Sequence, residues 1–441
     1  MVLYHHRGTR RRASATIEAG EAAIVPERSP FLYTWKVFPW LLLTFLLSPS
    51  GTKMPAGSNR NLGVVYTEQH PLTSIIRQYN HRKLPSSNLL PTSTSQQLHD
   101  QNNDQLPHPH PHPHPPKGVW VPSPTFFTRS SYSSYSSTQP AIDTTAQIAH
   151  TIFLARSGIT GVVLLGSTGE AMHLSRSERS QLIKSVRSGL DEAGFKSFPI
   201  MAGVLTNGGV EETVQWLDDY SEAGAEYGLV LVPGYFGPGG TSQRGVVGWF
   251  EEVLGGMKSG KMGVVVYNYP GVTNGTMLEP EGYRVLAQNP RVVGCKMSHG
   301  NISHHLQVSL DPQINHDRFR VFSGFGQQLG PIVLFGAAGV IDGMSAFYPK
   351  TVVRLFELAQ KDDLRPSEKA EMKKLQYVVS KAEEFVVKYG LKGIKEATYR
   401  VAGFGDLDAM RVPVTGRMSE EEWEEGRRRW LGEIEDVEKG L

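Results

Sequence analysis

The sequence predicts an α/β protein built on a TIM (β/α)8 barrel, and three observations predict it. From Lys117 onward, short β-branched runs alternate with amphipathic helical segments. Eight strand candidates can be counted, most of them followed by a helical pattern, which is the order that gives a closed parallel sheet. The span from Lys117 to about residue 360 also suits a barrel of that size.

In chain order, the predicted strands are Gly118–Thr128, Gly161–Ser167, Pro199–Thr206, Tyr227–Tyr235, Met262–Tyr269, Val292–Ser298, Arg318–Gly324 and Gly339–Ser345. Each is an apolar, β-branched run bounded by glycine, proline or small polar residues. Among the helices, Ser175–Gly194 opens with a Ser175 cap and Glu178 three residues later, the pattern of a capping box. Glu211–Gly224 follows the third strand with an apolar stripe at helical spacing. A Ser-Ser-Tyr repeat over 130–137 follows the first strand and reads as a flexible loop on the catalytic side. Beyond the eighth unit, helices are expected over Ser367–Tyr389, Leu391–Ala402 and Ser419–Lys439, packing on the side of the barrel or mediating assembly. The domain organisation is thus an extension over 1–116, a catalytic barrel over 117–360 and a helical region over 361–441.

The extension differs in texture from the rest. It starts basic (Arg7, Arg10, Arg11, Arg12), passes through the apolar run Phe38–Leu47 and ends in alternating Pro and His up to Pro116. That apolar run is too short to span a bilayer and lies too far from Met1 for an ordinary signal peptide. Alternating Pro-His favours a solvated polyproline II linker over a metal site, because nothing packs around it to fix ligands. The extension is expected to be disordered, to be a mitochondrial presequence, or to be sequence upstream of the true start, with Glu18 and Glu21 counting against a presequence. Localisation is accordingly expected to be cytoplasmic or mitochondrial.

Composition narrows the partners. Lys plus Arg is 45 against 43 Asp plus Glu, a net charge of +2, so there is no global field to attract nucleic acid. The one cysteine, Cys295, excludes an intrachain disulfide and a multi-cysteine metal site. It neighbours Lys296, and strand neighbours point to opposite faces, so Cys295 is expected to be a packing residue.

Lys296 is the residue most at odds with its surroundings. It ends the apolar run Val292–Met297, where a lysine is rarely tolerated unless it is paired. Burial disfavours the ammonium, and a neutral amine is what attacks a carbonyl to form a Schiff base. The alternative is a stem laid along the core with its ammonium reaching water. Two further segments fall at carboxyl strand ends, where barrel active sites are built. Gly166-Ser167-Thr168-Gly169-Glu170 can converge backbone N–H groups on an anion, although it is also an ordinary turn sequence. Tyr267-Asn268-Tyr269-Pro270 places two phenols on one face, either as proton relays or as core tyrosines with satisfied hydroxyls.

Taken together, these segments resemble the dihydrodipicolinate synthase / N-acetylneuraminate lyase family of class I aldolases. The resemblance runs from Lys117 to about Val412 and rests on Gly166–Glu170, Pro233-Gly234-Tyr235, Tyr267–Pro270, Gly294–Lys296, Phe322-Ser323-Gly324 and Gly339-Val340-Ile341. It implies that Lys296 forms the Schiff base and that Tyr267 relays protons. It implies that Ser167 and Thr168, between Gly166 and Gly169, hold a substrate carboxylate. Tyr235 would reach a neighbouring subunit's site and complete a hydroxyl relay, making the working unit a homodimer or homotetramer. No cofactor, metal, nucleic acid or membrane partner is implied; the partner is pyruvate or another small 2-oxo acid.

Departures from the family pattern bear on the substrate. Val272 stands where dihydrodipicolinate synthases carry an arginine for a substrate carboxylate. Gly324-Phe325-Gly326-Gln327-Gln328 lacks the acids with which sialic acid lyases hold sugar hydroxyls. Lys296-Met297-Ser298 resembles the Lys-x-Ser of 4-hydroxy-2-oxoglutarate aldolases, with Ser298 on the same face as Lys296. Other stretches are similar to fungal 2-keto-3-deoxy-sugar-acid aldolases. The expected activity is therefore lyase chemistry on a 4-hydroxy-2-oxo acid or 2-keto-3-deoxy sugar acid. Dihydrodipicolinate synthase activity and a catalytically retired binding barrel are the alternatives. His299, His304 and His305 are read as loop or helix-start residues, with His299 a polar wall for the pocket.

Overall fold

The computed structural model describes residues 113–128, 139–206, 208–414 and 416–441. Nearly all of the extension, with its apolar and Pro-His runs, and the Ser/Tyr insertion lie outside the described residues.

Eight parallel strands close into a barrel. Each precedes a helix: β1 (Gly118–Pro122) and α1 (Thr144–Arg156), β2 (Gly161–Leu164) and α2 (Arg176–Glu192), β3 (Ile200–Val204) and α3 (Val210–Ala223), β4 (Tyr227–Leu231) and α4 (Gln243–Gly256), β5 (Gly263–Asn268) and α5 (Pro280–Leu286), β6 (Val292–Met297) and α6 (Ile302–Ser309), β7 (Arg320–Ser323) and α7 (Leu329–Leu334), and β8 (Gly339–Ile341) and α8 (Pro349–Ala359). The ring closes where Gly118 pairs with Gly339 and Val119 with Val340.

Strands such as Gly-Val-Val-Val-Tyr-Asn of β5 are buried at every position, because one face fills the barrel and the other meets helices. Trp120 plugs the interior, edge-on to Tyr227 and Phe322. A Cβ on Gly161 would come within 2.4 Å of its indole, so the large side chain of β1 depends on the missing one of β2. The tail of the Pro-His run is held against the barrel: Trp120 Nε1 donates to the Pro116 carbonyl at 3.1 Å, and Tyr227 Oη donates to that of His114 at 3.0 Å. The capping box at Ser175 and Glu178 is present in full.

One expectation about extent is corrected. The strands stop earlier than their apolar runs suggest, and the excess residues form loops at the carboxyl end of the barrel. In the first run, Pro124 cannot donate to a ladder, so Phe127–Thr128 leaves the barrel to pair antiparallel with Ala141–Ile142. The region after α8 is dominated by α9 (Pro366–Ala402), which breaks at Gly390, with φ 55° and ψ −140°. That conformation is reserved for glycine. The break falls where one helix was expected to end and the next to begin. A final helical segment runs from Glu420 to Gly440 with a π-helical stretch over Arg427–Leu431. Among the described residues, no helix is long and apolar enough to cross a membrane.

Candidate active site

β5 and β6 lie side by side in a register that opposes Tyr267 to Lys296. Both side chains therefore emerge at the carboxyl end of adjacent strands. Lys296 is 5% exposed, and its Nζ lies 4.7 Å from the centre of the Tyr267 ring. Desolvation pulls its amine down from 10.5 to about 7, against the opposing pull of the Asp342 carboxylate. Near neutrality a substantial fraction of Lys296 is thus the free amine, the nucleophilic form. Tyr267 is driven the other way: burial holds its hydroxyl well above the ordinary phenol range, so it remains protonated.

The Tyr267 hydroxyl is not isolated. Ser167 Oγ lies 3.3 Å from it, and Ser298 also hydrogen-bonds to it. Ser167 is brought there by the loop after β2, which turns through left-handed residues at Leu165 and Glu170. The turn is fixed from two sides. Thr125 Oγ1 donates to the Gly169 carbonyl at 2.6 Å, and Lys395 of α9 pairs with Glu170. Ser298 has room because residue 324 is glycine; a Cβ there would come within 2.0 Å of Ser298 Oγ.

These groups line one cavity of about 400 Å³, a size that holds a small ligand. Ser167, Thr168, Tyr267, Lys296, Ser298 and Gly324 all face it. Gly166 and Gly169 do not: Gly169 serves the turn, where a Cβ would strike the Leu165 backbone at 2.7 Å. His299 is not a wall of the cavity either; its ring nitrogen accepts from Asn301 N, and its carbonyl accepts from Gln328. Tyr235 stands apart from the site within the chain, 67% exposed and edge-on to the still more exposed Phe236. A wider groove of about 770 Å³ beside Arg176 and Asp219 lies on the outer helices and brings no strand-end group together.

Sequence reading missed the contribution of α9. Rather than only packing on the barrel's side, it lays Glu383, Val386, Val387, Leu391 and Ile394 along the cavity. Glu383 is buried and hydrogen-bonded to Asp342, and its Oε1 accepts from Gly326 N at 3.2 Å. Burial beside the Asp342 charge raises the Glu383 carboxyl far above the carboxylate range. Glu383 accordingly carries the shared proton, and Asp342 also accepts from Met344 N at 2.7 Å and Ser345 Oγ at 2.5 Å. Asp342 is thus the buried counter-charge of Lys296. A signal for Glu383 was present: it falls on the apolar stripe of its helix with Val379, Ala382 and Val386. The signal for Asp342 was an acid directly after a barrel strand.

Known proteins share the family and the fold of this chain. The model of the dihydrodipicolinate synthetase family matches residues 132–428. The chain is 30% identical over 295 residues to an L-threo-3-deoxy-hexylosonate aldolase of Hypocrea jecorina, covering 66% of this chain and 88% of that one. It is 29% identical over 304 residues to a protein of Emericella nidulans named probable 4-hydroxy-2-oxoglutarate aldolase, mitochondrial, covering 69% and 91%. A crystal structure of a dihydrodipicolinate synthase family protein from Coccidioides immitis superposes with a TM-score of 0.61 at 30% identity, covering 75% of this chain and 99% of that chain.

Proposed function

The chain belongs to the dihydrodipicolinate synthetase family, and on that footing we propose that it is a carbon–carbon lyase that cleaves or forms a 4-hydroxy-2-oxo acid through an imine on Lys296. Sugar-derived 3-deoxy-2-oxo acids fall within this class. The observation that carries the reading is the buried Lys296 amine, held near neutrality with the protonated Tyr267 ring 4.7 Å away.

In the cleavage direction, the Lys296 amine adds to the C2 carbonyl, and loss of water from the carbinolamine gives the iminium. The C3–C4 bond then breaks. Its electron pair moves into the iminium to give an enamine, while the C4 hydroxyl loses its proton and becomes the carbonyl of the departing aldehyde. C3 takes up a proton, and water hydrolyses the imine to release pyruvate and restore the amine. Tyr267, linked to Ser167 and Ser298, is the group placed to carry protons for the carbinolamine and C4 steps. Ser167 and Thr168 hold the carboxylate. No arginine lines the cavity among the described residues, which weighs against the synthase reaction expected of an enzyme that grips a second carboxylate.

The exposed pair Tyr235 and Phe236 supports assembly into a dimer or tetramer, with Tyr235 completing the relay of a neighbouring copy. Light scattering, together with the activity of Tyr235→Phe, tests that part. The mitochondrial name of the Emericella nidulans relative supports the same compartment for this enzyme, which imaging of the tagged full-length chain tests. The chemistry is tested by reducing the enzyme with borohydride in the presence of pyruvate and mapping the adduct by mass spectrometry. The adduct is expected on Lys296, and Lys296→Ala is expected to lose both the adduct and cleavage of a 2-oxo acid panel. Full activity in that variant would refute the mechanism.

A further inference from the structure

In the loop after β2, Ser167 and Thr168 face the cavity and Gly169 serves the turn, but Glu170 does not line the cavity. Its backbone is left-handed at φ 53°, and that of Leu165 is left-handed at φ 59°. The two hydroxyl residues thus sit between two left-handed residues that are not glycine. Each such residue is disfavoured by roughly tenfold against an ordinary backbone conformation. The loop keeps this shape only where its surroundings impose it.

At the Leu165 end, β3 makes room through Gly203, where a Cβ would come within 2.3 Å of the Leu165 carbonyl oxygen and 2.7 Å of Gly166 Cα. At the other end, the Glu170 carboxylate meets the Lys395 ammonium of α9, the two side chains being 1% and 7% exposed. His173 Nδ1 lies 3.4 Å from the same carboxylate, and His173 N donates to the Glu170 carbonyl at 2.8 Å. Lys395 is itself held. Its Nζ lies 4.7 Å from the centre of the Phe127 ring, and the Arg411 guanidinium lies at the same distance from that ring. Arg411 in turn donates to the carbonyls of Pro140 and His173 and pairs with Glu178. Two buried cations from the C-terminal region therefore close on one loop, and neither lines the cavity. Burying an ion pair this deeply is costly, and apolar packing could hold α9 on the barrel equally well. Apolar packing could not dictate the backbone conformation at position 170.

Resting on the reading above in which Ser167 and Thr168 hold the substrate carboxylate, we infer that Lys395 and Glu170 are positioning residues: their ion pair locks the loop after β2 in its left-handed shape and so sets the affinity of the enzyme for the 2-oxo acid. They act on the substrate through Ser167 and Thr168 and take no part in making or breaking bonds.

The test runs the full-length enzyme in the condensation direction, with pyruvate as donor and glyceraldehyde as acceptor, and with borohydride trapping of pyruvate alongside. Lys395→Met/Glu170→Gln removes both charges together, so no buried charge is stranded and the melting temperature is expected to stay near that of the parent. Its KM for pyruvate is expected to rise about tenfold, because binding must now impose the left-handed residue. Its kcat and its KM for glyceraldehyde are expected to change by less than about threefold, since Lys296 and Tyr267 are untouched. Lys395→Met/Glu170→Leu carries the same expectations and replaces the glutamine variant where that one does not fold. Lys395→Met/Glu170→Gly places at position 170 the residue that takes the left-handed shape freely, and is expected to return KM for pyruvate to within about threefold of the parent. An unchanged pyruvate KM in the glutamine or leucine variant, equal shifts for pyruvate and glyceraldehyde, or no recovery with glycine overturns the inference, while trapping at Lys296 in the parent upholds the Schiff-base reading. If the parent gives no trapped adduct, the Schiff-base reading falls and the inference falls with it.

Discussion

Replacing Lys296 with methionine should stabilise this enzyme while abolishing its activity, and the stabilisation should depend on pH in a defined direction. The amine titrates at about 7 in the folded protein against 10.5 for an ordinary lysine. Between those values the unfolded chain binds the extra proton and the folded chain does not, so this residue makes stability rise with pH across that window. Its penalty is present in full below about pH 7 and is gone above about 10.5. The gap corresponds to about 5 kcal/mol. Part of the gain from Lys296→Met is offset, because Asp342 loses its counter-charge while keeping Met344 N, Ser345 Oγ and the Glu383 proton. Leaving a buried charge without its partner is costly, so the net gain at pH 6.5 is roughly 3 kcal/mol. For a folded unit of this size that raises Tm by roughly 4–5 °C. Melting curves followed by circular dichroism from pH 6.5 to 9.5 read the difference, which should shrink steadily as pH rises. A methionine variant less stable than the parent at pH 6.5, or a difference independent of pH, would refute the picture of a buried, weakly basic amine.

Three further outcomes follow from the same residues. Because the attacking form is the free amine, kcat/KM should rise with pH up to about 7, by about tenfold per pH unit on the acidic side, and then level off, as read from initial rates with one 2-oxo acid. Tyr267→Phe removes the hydroxyl that Ser167 meets at 3.3 Å; kcat should fall about a hundredfold or more while borohydride trapping of pyruvate still labels Lys296. Since Glu383 already carries a proton, Glu383→Gln can still donate to Asp342 and accept from Gly326 N, and its melting temperature should stay close to that of the parent. Glu383→Leu strands both partners and should cost about 2–3 kcal/mol in chemical denaturation. Equal damage from the two changes would mean that Glu383 is ionised.

The barrel and the reactive end of the site were legible because both are written in local patterns. A strand buried on both faces must be an apolar run, and a lysine at the end of one stands out against it. The same locality explains what was misread. Strand ends were placed too late at Ser167, Tyr235 and Ser345 because apolar and small residues continue into loops at the carboxyl end of the barrel, and periodicity cannot distinguish burial in a ladder from burial in such a loop. The part of the site carried by α9 was hidden for a different reason. Glu383 lies 87 positions from Lys296, and only the folded chain brings it to Asp342 and the cavity.

That distant contribution separates two properties that one active site usually blurs. Strand ends place the proposed chemistry: Lys296 and Tyr267 are set by barrel register, and moving either means moving a strand. The wall that meets the rest of the substrate hangs on a helix broken at Gly390, outside the barrel and tied to it through Lys395 to Glu170 and Glu383 to Asp342. Side chains on such a helix can change without disturbing the strands beneath. A lysine in place of the valine at position 386 or 387 is expected to alter which aldehyde is accepted and to leave the proposed imine chemistry where it is. On the proposed reaction, substrate range would therefore be governed by a segment apart from the reacting atoms, and the two ties that hold the segment also reach the strand-end groups. One tie fixes the loop that presents Ser167, and the other holds the carboxylate whose charge opposes the burial that lowers the basicity of Lys296.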